Sequence, residues 1–284
     1  MEGSLRLVTK EHPKITRVVC VASGKGGVGK THTTMNLAFA LESIGKRVLV
    51  LDADFGLANL NIMLGVSPEN TIEDFFYGSL PLEEIILKVT NNFHLIAGGS
   101  GVAELVNLTS AQRLEIHSEL ERVASGYDYL LIDSPAGISA DAMFFSAAAT
   151  EVLVVVTPEP TSITDAYAVI KLLTQKCRER ELSLVVNCAP SGMTQESNIV
   201  FKKLEKAAFD FLGVRLKYLG SVPTDPLVSE CILSRTPLFR RYPNGIAGRA
   251  IRRLANRLES EYPFVRAKGG LQFFFEKFIE YGAS

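Results

Sequence analysis

Within eight consecutive residues, Gly24-Lys25-Gly26-Gly27-Val28-Gly29-Lys30-Thr31, the chain gathers four glycines, two lysines and a hydroxyl. The spacing fits G-x-x-x-x-G-K-[ST], a turn whose glycines let successive backbone N–H groups point inward at phosphate oxygens. Lys30 then reaches the β- and γ-phosphates, the Thr31 hydroxyl serves as a Mg²⁺ ligand, and His32 follows in the same nucleotide-binding stretch. One lysine already serves the loop's own phosphates. The place of the second, Lys25, is left open by spacing alone.

Two further runs carry carboxylates. "LDADFGLAN" holds Asp52 and Asp54, and "LLIDSPAGI" holds Asp133 and, four residues on, Gly137. Asp133 stands where a strand-end aspartate can hold a Mg²⁺-bound water, and Gly137 can offer its N–H to a γ-phosphate. Asp52 also reads as a strand-end carboxylate capping a turn. Asn187 in "VVNCAP" is in the same position, a strand-end residue with either a turn role or a ligand role.

The elements that must position these groups are legible from patterning. The runs "RVVCVAS", "RVLVLDAD", "FHLIAGG", "YDYLLIDSP", "EVLVVVTPE", "LSLVVNCAP" and "LKYLGSVP" are apolar throughout instead of alternating. Such runs suit strands buried on both faces, with helices covering each side. Strand and helix alternate to about residue 223, which predicts one α/β domain with a doubly wound, mainly parallel sheet. In that architecture Asp52, Asp54 and Asp133 fall at the C-terminal edge of the sheet, where open sheets bind ligands.

Composition bounds the remainder. A chain of 284 residues with 47% hydrophobic content can bury a full core, and a net charge of −1 gives no whole-molecule pull toward nucleic acid or membrane. The cysteines Cys20, Cys177, Cys188 and Cys231 lie far apart, without a CxxC pair, as buried thiols of a reducing compartment would. No apolar run reaches the roughly 18 residues that span a bilayer, so a soluble, cytoplasmic protein is expected.

The string KGGVGKT resembles the deviant Walker A motif of the MinD/ParA ATPases, in the SIMIBI class of P-loop NTPases. The resemblance implies ATP/ADP and Mg²⁺ as ligands, a homodimer on ATP binding, and a monomer with ADP or no nucleotide. It implies that Lys25 reaches across the dimer to the partner's nucleotide, where a second cation neutralises charge developing on the γ-phosphate. By the same match Asp54 orients or deprotonates the attacking water, Asp52 supports the Mg²⁺ shell, Gly137 belongs to the second switch loop, and Asn187, Pro223 and Asp225 contact adenine. Lys25, Lys30 and Asp54 are thus the expected catalytic set, with Thr31, Asp52 and Asp133 at the metal.

Within that superfamily the cluster-bridging and CxxC branches do not fit the cysteine spacing. The strings "LDADFGLANLNIMLG", "LIDSPAGI" and "PEPTSITDAYAVIKLL" are similar to the flagellar-number regulators of the FlhG/FleN branch. That branch implies partners among a signal-recognition-type flagellar GTPase, a flagellar transcriptional regulator or a basal-body component, at the inner face of the cytoplasmic membrane. DNA binding is not expected as the main role. The opening "GSLRLVTKEH" lacks the DQAxxLR segment with which many of these proteins stimulate the GTPase.

Two features of the tail stand out. Between Arg235 and Arg257 lie seven arginines and no acidic residue. Ile246, Ala250, Ile251, Leu254 and Leu258 recur there at helical spacing, predicting a helix with Arg249, Arg252, Arg253 and Arg257 outward. Leu271, Phe274, Phe275, Phe278 and Ile279 form the apolar face of a second, amphipathic helix that either packs on the domain or binds a membrane reversibly. The expected organisation is an extension over 1–16, an ATPase domain over 17–262 and this C-terminal helix over 263–284.

Overall fold

In the computed structural model, residues 16–78, 80–99, 108–190 and 194–260 are described. They build one eight-stranded sheet from β1 (Arg17–Ala22), β2 (Val48–Asp52), β3 (Ile86–Lys88), β4 (Phe93–Ile96), β5 (Tyr129–Asp133), β6 (Glu151–Val156), β7 (Leu182–Ala189) and β8 (Leu216–Pro223). All but β3 arise from the seven apolar runs. Strand order is β3-β4-β2-β5-β1-β6-β7-β8. Every pairing is parallel except β3 with β4. β3 escapes the patterning argument because it is three residues long and incompletely buried at the sheet edge.

Strand residues alternate between two apolar layers, which is why no polar face appears in the sequence. Cys20, Leu49, Leu51 and Ile132 pack under α4 (Ser110–Ala124), α5 (Ala140–Ala148), α6 (Pro160–Gln175) and α7 (Thr194–Leu212). Val19, Val21, Val50 and Leu131 pack under α1 (Lys30–Ser43), α2 (Leu60–Leu64), α9 (Leu238–Arg241) and α10 (Ile246–Ser260). The short α3 (Ile72–Phe76) and α8 (Pro226–Leu233), with a 3-10 turn over Leu82–Ile85, complete the helices of the described residues. α10 buries Ala250, Ile251, Leu254 and Leu258 and exposes Arg249, Arg253 and Arg257, as its spacing predicts. Two positions differ. Ile246, the first residue of the helix, is 51% exposed, and Arg252 is half-buried because its guanidinium lies over the Phe239 ring at 5.4 Å.

The end of α10 is fastened to the sheet edge opposite the strands' C-terminal ends. Arg17, Tyr129 and Glu151 each open a strand there. Arg17 pairs with Glu151 and donates to the Leu258 carbonyl, and the Tyr129 hydroxyl donates to Glu259 at 2.6 Å. The apolar set Leu271, Phe274, Phe275, Phe278 and Ile279, with the residues 263–284 that hold it, lies outside the described residues. Among the described residues no helix is long and apolar enough to cross a membrane.

Candidate nucleotide site

β1 ends at Ala22 and α1 begins at Lys30, so the glycine-rich residues form the whole strand-to-helix turn. Gly29 caps α1 in the left-handed region at φ 84°, a conformation that costs glycine nothing. At Gly24 the reason is proximity: a Cβ there would stand 2.3 Å from the Asp165 backbone carbon in α6. The turn is thus pressed between α6 and Asn187, whose Nδ2 donates to the Val28 carbonyl at 2.8 Å. The N-terminal N–H groups and dipole of α1 face the same place, which favours an anion.

Beneath the turn, Asp52 on β2 and Asp133 on β5 are register neighbours at adjoining strand ends. Lys30 Nζ donates to Asp133 Oδ1 at 2.8 Å, and Thr34 Oγ1, one helical turn along α1, donates to the same oxygen at 3.0 Å. The other oxygen, Asp133 Oδ2, is buried without a hydrogen-bond partner. Asp52 Oδ2 accepts the N–H groups of Asn59 and Leu60 at 3.1 and 3.0 Å, and its Oδ1 accepts that of Asp54 at 3.3 Å. Burial first, and the adjacent Asp133 second, push the Asp52 carboxyl far above the ordinary carboxylate range. Asp54, half-buried, is also pushed up by desolvation, against the pull of Lys30.

One buried ammonium, on Lys30, thus contacts Asp133 beside the neighbouring carboxyl of Asp52, and one oxygen of Asp133 lacks any donor. This is a donor set short of positive charge, and it fits a hard cation with oxygen ligands. Thr31, half-buried in the first turn of α1, lies within the same turn as Lys30.

Other candidates occupy defined places. Lys25 Nζ pairs with Glu159 and donates to Thr161 Oγ1 at 3.1 Å, at the start of α6. Gly137, at φ 84°, donates its N–H to the Ser23 carbonyl at 2.8 Å, linking the loop after β5 to the phosphate turn. The His32 ring is held neutral, its pKa lowered to about 4 by burial, and its Nε2 is buried without a partner. Pro223 ends β8. Asp225 caps α8 by accepting from Leu227 N at 3.0 Å and also accepts from Ala247 N at 3.2 Å, at the start of α10. Thr34, Glu159 and Thr161 did not emerge from the sequence; for Thr34 the i+4 spacing from Lys30 was an available signal.

A phosphate-binding turn between a strand and a helix, with aspartates at the ends of the adjoining parallel strands β5 and β2, defines a P-loop NTPase. The family described as ParA, NUBPL iron-transfer P-loop NTPase, matches residues 14–259, and the chain belongs to it. The chain is 36% identical to the antiactivator FleN of Pseudomonas aeruginosa over 96% of both chains. It is 34% identical to the flagellum site-determining protein YlxH of Helicobacter pylori, over 94% of this chain and 90% of that one. Among solved structures, the septum site-determining protein MinD of Pyrococcus horikoshii OT3, complexed with Mg-ADP, aligns with a TM-score of 0.71 at 29% identity, covering 89% of this chain and 100% of that one. As to the iron transfer in the family's description, Cys20, Cys177 and Cys231 are buried, Cys188 is exposed against the expectation of a buried thiol, and among the described residues no three His, Cys, Asp or Glu side chains gather as a metal site.

Proposed function

We propose that the chain is a Mg²⁺-dependent ATPase switch that closes into a homodimer around ATP and restricts the number or placement of flagella. The observation that carries the flagellar reading is the likeness to the antiactivator FleN along 96% of both chains. The ATPase reading is supported by the phosphate turn above a buried, cation-poor carboxylate pair.

In this reading Gly24 to Thr31 and His32 wrap the phosphates, and Lys30 is shared between Asp133 and the β- and γ-phosphates. Thr31, Asp133 and Asp52 would hold Mg²⁺, which when bound supplies positive charge to the phosphate oxygens. Asp54, a half-buried carboxylate with a raised pKa, is suited to orient or deprotonate the attacking water. The Gly137 N–H would exchange the Ser23 carbonyl for the γ-phosphate. Lys25 would leave Glu159 and Thr161 for the partner's nucleotide, which makes their contact the resting position of the monomer. Asn187, Pro223 and Asp225 border the base.

The organisation proposed is an extension over 1–16, the ATPase over 17–262 and a membrane or partner anchor over 263–284 that makes a cytoplasmic protein peripheral to the membrane. The flagellar partner is a regulator, a basal-body component or a signal-recognition-type GTPase. A ParA-type DNA-partitioning role, favoured by the arginines exposed on α10, or a MinD-type division-site role is the second reading. A nucleotide-gated scaffold with negligible turnover is the third.

Deleting the gene and counting flagella by electron microscopy tests the first reading. Extra or misplaced flagella, restored by the wild type but not by Lys30→Ala, are expected; unchanged flagellation refutes it. Turnover measured with liposomes or with DNA separates the alternatives: stimulation by DNA alone supports partitioning, and no turnover in either supports the scaffold.

A further inference from the structure

Away from the nucleotide turn, the outer edge of the sheet carries a cavity of about 190 Å³ along β8, between α7 and α10. Its wall is chemically one-sided. Two arginines, Arg253 and Arg257, and three hydroxyls, on Ser197, Tyr218 and Ser221, line it, and no carboxylate does among the described residues.

The cavity follows from an irregular strand. β8 pairs Tyr218 with Leu184 and Gly220 with Val185, so Leu219 is skipped in the register. The Leu219 carbonyl instead accepts from Arg257 Nη1 at 3.1 Å, which draws that arginine to the strand edge. Gly220 has φ 143° and lies beneath α10. A Cβ there would stand 2.8 Å from Leu254 Cδ2 and 3.6 Å from Arg257 Nη1, so the missing side chain keeps the space open.

Two groups on this wall lack partners. Ser197 is 1% exposed and its Oγ makes no hydrogen bond, although buried hydroxyls are nearly always satisfied. Arg253 is exposed and has no hydrogen-bond or ion-pair partner among the described residues. Guanidinium forks combined with hydroxyl donors match an anion with several oxygens in tetrahedral array. The volume lies below the roughly 300–1,000 Å³ of sites for drug-sized ligands, so the anion is small or enters as a headgroup.

We propose that the β8-edge cavity is a second anion site, binding a phosphate-bearing ligand through Arg253, Arg257 and the Ser197 hydroxyl. It is distinct from the phosphate turn, since neither Asn187 nor any residue of that turn lines it. It adjoins the base end of the nucleotide site, because Ala189 and Pro223 border it and Thr224 N donates to the Ala189 carbonyl at 2.8 Å.

The test uses the full chain saturated with Mg²⁺ and a nonhydrolysable ATP analogue, so that the phosphate turn, its γ-phosphate position included, is already filled. Inorganic phosphate and glycerol 1-phosphate are titrated by calorimetry, and vesicles of phosphatidylglycerol with phosphatidylcholine are tested by co-sedimentation against phosphatidylcholine alone. Saturable binding is expected, weakened about tenfold or more in Arg253→Gln and unchanged in Arg240→Gln, an exposed arginine outside the cavity. Ser197→Ala should weaken binding while raising the melting temperature of the ligand-free protein, since it deletes an unsatisfied hydroxyl; a merely structural serine would not split the two readouts. Binding of the soluble phosphates identifies a free ligand, and binding of the anionic vesicles alone, lost in Arg253→Gln, identifies a headgroup. Absence of saturable binding in both arms, or equal affinities for wild type and Arg253→Gln, overturns the proposal.

Discussion

Replacing Asp52 with Asn should stabilise the nucleotide-free protein at neutral and alkaline pH, although the residue is only 2% exposed and holds three backbone N–H groups. Burial, followed by the neighbouring Asp133, raises its carboxyl from 3.8 to about 7. A carboxyl raised in the fold keeps its proton where the unfolded chain has lost it. Its contribution to stability is therefore fully present below about pH 4 and is lost as pH climbs to about 7. The full displacement is worth about 4 kcal/mol at pH 8, which the uncharged Asn escapes. Asn retains a carbonyl oxygen for Asn59 and Leu60 and forfeits the bond from Asp54 N, about 1 kcal/mol. The expected gain is thus about 3 kcal/mol at pH 8, falling to zero or slightly below at pH 4. Urea unfolding reads this as a midpoint shift of about 1 M at pH 8. Saturating Mg·ADP should shrink the difference, because a cation at the site offsets the charge that Asn removes. A variant less stable than wild type at pH 8, or a difference equal at pH 4 and pH 8, would refute the electrostatic reasoning.

Lys30→Ala and Thr31→Ala should each abolish measurable Mg·ATP binding by calorimetry, but only Lys30→Ala should also lower the melting temperature, because it strips Asp133 of its buried ammonium. Asp54→Ala is expected to bind ATP, turn over at least a hundredfold more slowly and accumulate as dimer. Lys25→Ala should bind ATP yet stay monomeric in light scattering, and a dimeric variant would remove Lys25 from the trans contact. His32, whose pKa burial lowers to about 4, contributes stability that is present above about pH 6.5 and lost as pH falls toward 4. His32→Gln should therefore lose less stability than wild type over that window in urea titrations.

What the sequence revealed and what it hid divide along locality. The phosphate turn, its helix and the strand-end aspartates are local patterns, and each falls where its run predicts. The pairing of Asp52 with Asp133 is a matter of strand order: β2 and β5 are separated by 76 residues between Asp52 and Tyr129, and only the crossover makes them neighbours. The partners of Lys25 were hidden for the same reason, since Glu159 and Thr161 lie 134 and 136 residues away. Gly137 was legible as an N–H donor for a γ-phosphate but not as one already bonded to Ser23. The β8-edge cavity had no sequence signal, because it depends on a skipped residue in strand pairing and a glycine whose importance lies in what packs above it.

The carboxylate pair also explains how an event at the phosphates could reach the surface. Asp52 holds the N–H groups of Asp54, Asn59 and Leu60, so the loop after β2 is organised around one carboxylate. Asp133 opens the loop that leads to Gly137, which is bonded to Ser23 in the phosphate turn. Each loop exposes one large apolar residue close to these anchors, Leu57 at 76% and Ile138 at 57%. A cation and phosphates at the turn would relieve the charge crowding at Asp52 and Asp133 and compete for the Gly137 N–H, shifting both loops from the same point. In the homodimer proposed above, such a shift would bring Leu57 and Ile138 against the partner. Charge relief inside and apolar burial outside would then be two consequences of one binding event, with the pair's electrostatic cost in the free protein setting how strongly they are coupled.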